Sequence, residues 1–127
     1  MAIRAFDAET IRERRRELGR ILVDCVEGGA AVGFVLPFGL REAMDYWDGV
    51  ADQVEARRIV LLVNQSREHG LVGAIQVALK MPPGEAHRAE VLKLVVASDR
   101  RGTGCGSALL RRAEVEAGVA GWVGTDP

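Results

Sequence analysis

The chain has 127 residues, 48% of them hydrophobic, with 17 basic and 18 acidic side chains and a net charge of −1. That length and composition fit one domain with a real core, and they exclude wholesale disorder. The charge balance argues against a dedicated DNA or RNA binder, no apolar run approaches the roughly 20 residues of a membrane span, and Cys25 and Cys105 lack zinc or disulfide-framework spacing. The opening MAIRAFDAET has no apolar signal-peptide core, so the expectation is a cytoplasmic protein with no metal, nucleic acid or membrane partner.

AIRAF (2–6) predicts a short first strand. Asp7 suits a helix N-cap and Glu9 a first turn, and Ile11, Leu18, Leu22 and Cys25 share one face, predicting a helix over 8–27 that Gly28 and Gly29 end. Within it RERRR (12–16), interleaved with Glu9, Glu13 and Glu17, reads as a solvated face rather than a nucleic-acid patch. AVGFVLPFG (31–39), broken by Gly33 and Pro37, reads as a loop packed on the core. Leu40, Met44, Trp47, Ala51 and Val54 mark a second helix over 41–56, with Trp47 on the core stripe.

The pattern then changes. IVLLV (59–63) suits a strand covered on both faces, NQSREHG (64–70) carries turn chemistry, and LVGAIQVALK (71–80) is a second strand. MPPGEAH (81–87) is a loop. In AEVLKLVV (89–96) regular alternation would put Glu90, Leu92, Leu94 and Val96 on one face. A helix follows from about Cys105. The order β-α-α-β-β-β-α, with hairpin-length links between the last three strands, predicts an α+β domain: an antiparallel meander with helices over both faces.

The stretch DRRGTGCGSALLRR (99–112) sets glycines at 102, 104 and 106 between a strand and a helix. Unpaired N–H groups and the helix dipole make such a junction an anion site, and missing Cβ atoms let a diphosphate approach the backbone. Arg100 and Arg101 add positive charge, and Ser107 can cap the helix or offer its hydroxyl. The P-loop pattern GxxxxGK[ST] fails for want of its lysine. The dinucleotide fingerprint fails because the spacing is GxGxG and no strand leads to Asp126.

LKLVVASDRRGTGCGSALL (92–110) resembles the acetyl-coenzyme A signature of the GNAT (Gcn5-related N-acetyltransferase) family: a strand, then [Q/R]-x-x-G-x-[G/A], then a helix. Arg101, Gly104 and Gly106 stand at its fixed positions. Leu94, Val96, Leu109 and Leu110 match its apolar ones, and Ser98 stands where proline is frequent. The element order matches the family's N-terminal half. HRAEVLKLVV and AVGFVLP look like bacterial members near the tabtoxin-resistance group.

The resemblance implies a GNAT-like mixed, mainly antiparallel sheet and transfer of acetyl from acetyl-CoA to a small-molecule primary amine by direct attack. It places the pyrophosphate on Arg101, Gly102, Thr103, Gly104, Cys105, Gly106 and Ser107, and the pantetheine arm along Leu94, Val95 and Val96. The Val95 backbone N–H is the expected oxyanion donor. Glu90, the only carboxylate on its strand, is the candidate base, against the reading of a solvated strand-start glutamate; His87 is the other candidate. Phe34 is the acceptor-side candidate. Cys105 reads as a small hydrophobe between the glycines rather than an activated thiol.

In the family a fifth strand, a fourth helix and a closing hairpin follow, whereas GVAGWVGTDP (118–127) offers at most a strand stub at 119–123. The sequence thus reads as an incomplete GNAT domain whose fourth-strand edge is exposed, with a homodimer through that edge as one way to cover it. Tyr46, the only tyrosine, lies far from the family's thiolate-protonating position. The alternative function is a truncated or degenerate GNAT domain that binds CoA or a protein partner without efficient turnover.

Overall fold

The computed structural model describes residues 2–28, 39–80, 88–100 and 102–117. The elements are β1 (Ala2–Phe6), α1 (Ala8–Glu13), α2 (Arg15–Glu27), α3 (Leu40–Glu55), β2 (Ile59–Ser66), β3 (Gly70–Lys80), β4 (Arg88–Val96) and α4 (Cys105–Ala117), with one 3-10 turn at Ser98–Arg100. The strands form an antiparallel sheet in the order β1-β2-β3-β4. The expected α+β layering is the observed one.

The sheet is covered on both faces because β2 is apolar on both. Leu61 and Val63 pack with α1, α2 and α3 residues such as Ile11, Leu18, Leu22 and Trp47, while Leu62 packs on the other side with Leu109 and Ala113 of α4. Burying each such side chain contributes about 1.5–3 kcal/mol. Trp47 is thus core.

Local chemistry sets the helix starts. Asp7 caps α1 by accepting the Thr10 N–H at 2.8 Å. Glu42 reaches back to the Gly39 N–H at 2.9 Å and fixes the start of α3. The helix expected over 8–27 is interrupted at Arg14, whose guanidinium pairs with Glu17 at 2.7 Å and lies over the Phe6 ring at 5.6 Å. Arg12 bonds Asp52 and Glu55, and Arg15 bonds Asp48, so the basic run ties α1 and α2 to α3.

The turn expected at 64–70 shrinks to 67–69, because β2 continues through Asn64 to Ser66 against β3. A bulge in β4 also alters the alternation read from sequence. Leu94 pairs with Ile75 and Val91 with Val77, so Gln76 faces two residues, Leu92 and Lys93. Position 90 pairs with Ala78, three residues from Ile75. It therefore falls on the opposite face from Leu94 and Val96, not on the shared face that regular alternation implied. Residues 31–38 of the expected loop, with Phe34, and the stub at 119–123 lie outside the described residues, as do His87 and Arg101.

Candidate functional site

β4 delivers the chain into a relay of turns. Ala97 N–H donates to Val72 C=O at 2.8 Å, Arg100 N–H to Ala97 C=O at 2.9 Å, and Thr103 N–H to Arg100 C=O at 3.3 Å. The Thr103 hydroxyl also donates to Arg100 C=O. Gly102 and Gly104 carry φ of +80° and +89°, the left-handed conformations that side chains resist. The glycines at those two positions are required by the backbone path.

Helix α4 begins beyond Gly104, and its first internal bond runs from Ala108 N–H to Gly104 C=O at 2.9 Å. Among the described residues, the N–H groups of Gly106 and Ser107 have no acceptor. Unpaired N–H groups at a helix start, with the dipole behind them, suit an anion. They border a cleft of about 440 Å³ lined by Val96, Gly102, Gly104, Gly106 and Ser107. Gly106 sits over β4: a Cβ there would lie 3.5 Å from Leu94 Cδ2 and 3.6 Å from Val96 Cγ2. A larger cleft of about 580 Å³ lies at the other edge of the sheet, between Ala2, Arg4 and Gln65–Glu68. It opens on no helix start, so the loop cleft is the better candidate.

Among the described residues β4 is an edge strand. In an antiparallel ladder bonded and open pairs alternate. The Ala97–Val72 bond makes Val95–Ala74 the next bonded pair, so the Val95 amide is committed to β3. The amides of Leu94 and Val96 turn to the open edge. The Val95 amide, the expected oxyanion donor, is thus turned toward β3 rather than the open edge. The Val96 C=O on that edge accepts from Cys25 Sγ at 3.2 Å.

Cys105 is 1% exposed, and its Sγ accepts from Asn64 Nδ2 at 3.4 Å. Burial pushes the thiol pKa up, against a smaller lowering by Asn64. Cys105 thus gives its side chain to the core. Arg100 is half-buried, with its Nε 4.0 Å from Asp99 Oδ1.

Two features went unread in the sequence. Gly73, an isolated glycine inside a strand pattern, signals a close approach, here of Cys105 and Leu109. Asp24, an acid in the last turn of α2, runs against the helix-dipole preference. Its carboxylate accepts from Ser98 N–H at 2.6 Å and Ser98 Oγ at 2.9 Å. Among the described residues, no cluster of His, Cys, Asp or Glu suits a metal ion, and no helix is long and apolar enough to cross a membrane.

The structure defines an α+β domain with a cleft where β4, an edge strand among the described residues, meets the start of α4. A model of the Acetyltransferase (GNAT) family matches residues 3–121, and the chain belongs to that family. It is similar in fold to a ribosomal-protein-alanine N-acetyltransferase from Brucella melitensis (23% identity, TM-score 0.69, covering 98% of this chain and 73% of that one). It is also similar to an aminoglycoside acetyltransferase from an uncultured soil metagenomic sample, in complex with sisomicin (13%, 0.67, 99% and 77%). A GNAT family acetyltransferase from Staphylococcus aureus gives 16%, 0.66, 97% and 82%. At these identities the likeness concerns the fold.

Proposed function

We propose that this protein is an acetyl-CoA-dependent N-acetyltransferase that moves an acetyl group to a primary amine by direct attack. The observation that carries the reading is the start of α4 at the cleft beside the β4 edge, where the N–H groups of Gly106 and Ser107 have no acceptor among the described residues. On this reading the pyrophosphate rests on that helix start and the Gly102–Gly104 backbone, with Arg101 adding positive charge. Thr103 holds the turn through its bond to Arg100. The pantetheine arm lies along Leu94–Val96 and bonds the outward amides of Leu94 and Val96. One of these also polarises the thioester carbonyl, where a preorganised donor favours the oxyanion.

The amine nitrogen forms a bond to the carbonyl carbon as the C–S bond breaks. The amine gives a proton to a base, and the thiolate of CoA leaves and is protonated. Glu90 is the proposed base, on the sheet face opposite Leu94, and His87 is the second candidate. Phe34 borders the acceptor, a small amine of the kind handled by tabtoxin-resistance-like members. The setting is cytoplasmic, and a homodimer through β4 would cover its edge.

A second reading is a GNAT domain that binds CoA or a protein partner without efficient turnover. The one tyrosine of the sequence, Tyr46, is engaged on α3, its hydroxyl accepting from Gln76 Nε2 at 2.7 Å. Calorimetry with CoA and thiol release from acetyl-CoA across an amine panel separate the two. Binding with turnover supports the enzyme, and binding alone supports the second reading. The absence of CoA binding overturns both.

A further inference from the structure

We propose that Asp24 and Cys25, consecutive residues in the last turn of α2, form a clamp that positions the phosphate loop from the other side of the sheet. Asp24 takes both donors of Ser98, the N–H at 2.6 Å and the hydroxyl at 2.9 Å. Cys25 Sγ donates to Val96 C=O at 3.2 Å. Together they hold the three residues through which β4 becomes the loop. The Asp24 bonds are charge-assisted and two-pointed, so they fix orientation as well as distance.

Ser98 opens the 3-10 turn that feeds the relay Ala97–Arg100–Thr103 and then the Gly104–Ala108 bond of α4. A shift at Ser98 is thus passed to the unpaired donors of Gly106 and Ser107. α2 belongs to the layer packed on the opposite face from α4. The clamp is therefore a link between the helices of one face and the cleft served by the other. Ser98 stands where the GNAT pattern often has proline, which stiffens the turn covalently but has neither donor. In this chain hydrogen bonding from α2 supplies the stiffness.

Asp24 is a positioning residue, and its charge lets the test discriminate. The CoA arm rests on the acetyltransferase reading of the loop; the exchange arm does not. Asp24 carries a negative charge toward a site for a polyanion, so electrostatics alone makes Asp24→Asn bind CoA more tightly. The clamp makes it bind more weakly, by about tenfold, with KM for acetyl-CoA rising and kcat nearly constant. Ser98→Ala, which keeps the N–H bond, loses less, about threefold. In a Ser98→Pro background, Asp24→Asn has no further effect.

Amide hydrogen exchange on the ligand-free protein is measured alongside. Faster exchange at 98–108 in Asp24→Asn than in wild type, with little change in β2 and β3, supports the clamp whether or not CoA binds. Unchanged exchange there, or tighter CoA binding by Asp24→Asn, overturns it. If wild type shows no CoA binding, the acetyltransferase reading falls and the exchange result alone decides the clamp. If Asp24→Asn does not fold, Ser98→Ala is judged by the same exchange criterion.

Discussion

A methyl group on Gly73 would lie 3.0 Å from Cys105 Sγ, so the third strand and the start of α4 meet at a distance where a Cβ would force its neighbours to shift. The same methyl would lie 3.0 Å from the Val95 C=O and 3.1 Å from Leu109 Cδ1. The carbonyl belongs to a sheet ladder and cannot give way, so the helix must. Gly73→Ala is expected to cost about 1–3 kcal/mol by overpacking. It also displaces the N–H donor of Gly106, so CoA affinity falls with stability. Urea unfolding with an unchanged m-value, together with calorimetry, measures both.

The three loop glycines separate into two kinds. At Gly102 and Gly104 an added Cβ meets nothing within 4 Å, but φ is +80° and +89°. Alanine at either position pays for backbone strain alone, about 1–2 kcal/mol. Gly106 is helical, and its added Cβ would make ordinary contacts with Leu94 and Val96. Gly106→Ala is expected to stabilise α4 by about 0.5–1 kcal/mol while weakening CoA binding, because the new methyl narrows the cleft. Opposite signs in thermal unfolding and in binding identify Gly106 as a glycine kept for the ligand. A loss of stability on Gly106→Ala would contradict this.

These glycines also show what a sequence can and cannot disclose. The turn of glycines ahead of α4 was readable, although the sequence reading gave them as room for a diphosphate, while the structure shows that 102 and 104 also need left-handed φ. The helix stripes were readable because Leu18, Leu22 and Trp47 repeat at helical spacing and are all buried. The bulge at Leu92–Lys93 was not read, although Glu90 and Lys93 stand three apart in AEVLKLVV, a spacing that strict alternation does not give. The extra residue exists only in register with β3. That one step moved position 90 to the other face, and alternation counted from Val72 and Ala97 turns the Val95 amide toward β3. The Asp24–Ser98 clamp spans 74 positions and depends on how α2 crosses the end of β4, which local pattern does not encode.

The two thiols provide a test of core placement. Cys105 is 1% and Cys25 3% exposed, and burial holds the Cys105 thiol above its ordinary range. An aromatic disulfide reagent at pH 8 is expected to react with neither in the native protein and with both in denaturant. Rapid native modification at Cys105 would mean an accessible, activated thiol. The linkage has a definite sign. The folded state keeps the Cys105 proton to higher pH than the unfolded chain, so stability falls as pH rises above the free-thiol range toward the folded value.

On the acid side the sign reverses. Hydrogen bonds from Thr10 hold Asp7 below the usual carboxylate range, and the Arg14 guanidinium, bonded at 2.7 Å, does the same for Glu17. Both carboxyls bind protons less readily when folded than when unfolded. Their contribution is therefore complete above the ordinary carboxylate range and is lost as pH falls through the lowered folded values. Asp7→Asn keeps a good N-cap oxygen for the Thr10 N–H but removes the titration. The variant is expected to match wild type near pH 7 and to show a shallower loss of stability between about pH 5 and pH 2. Chemical denaturation across that range measures the slope, and an equal slope in both proteins would remove Asp7 as a source of acid sensitivity.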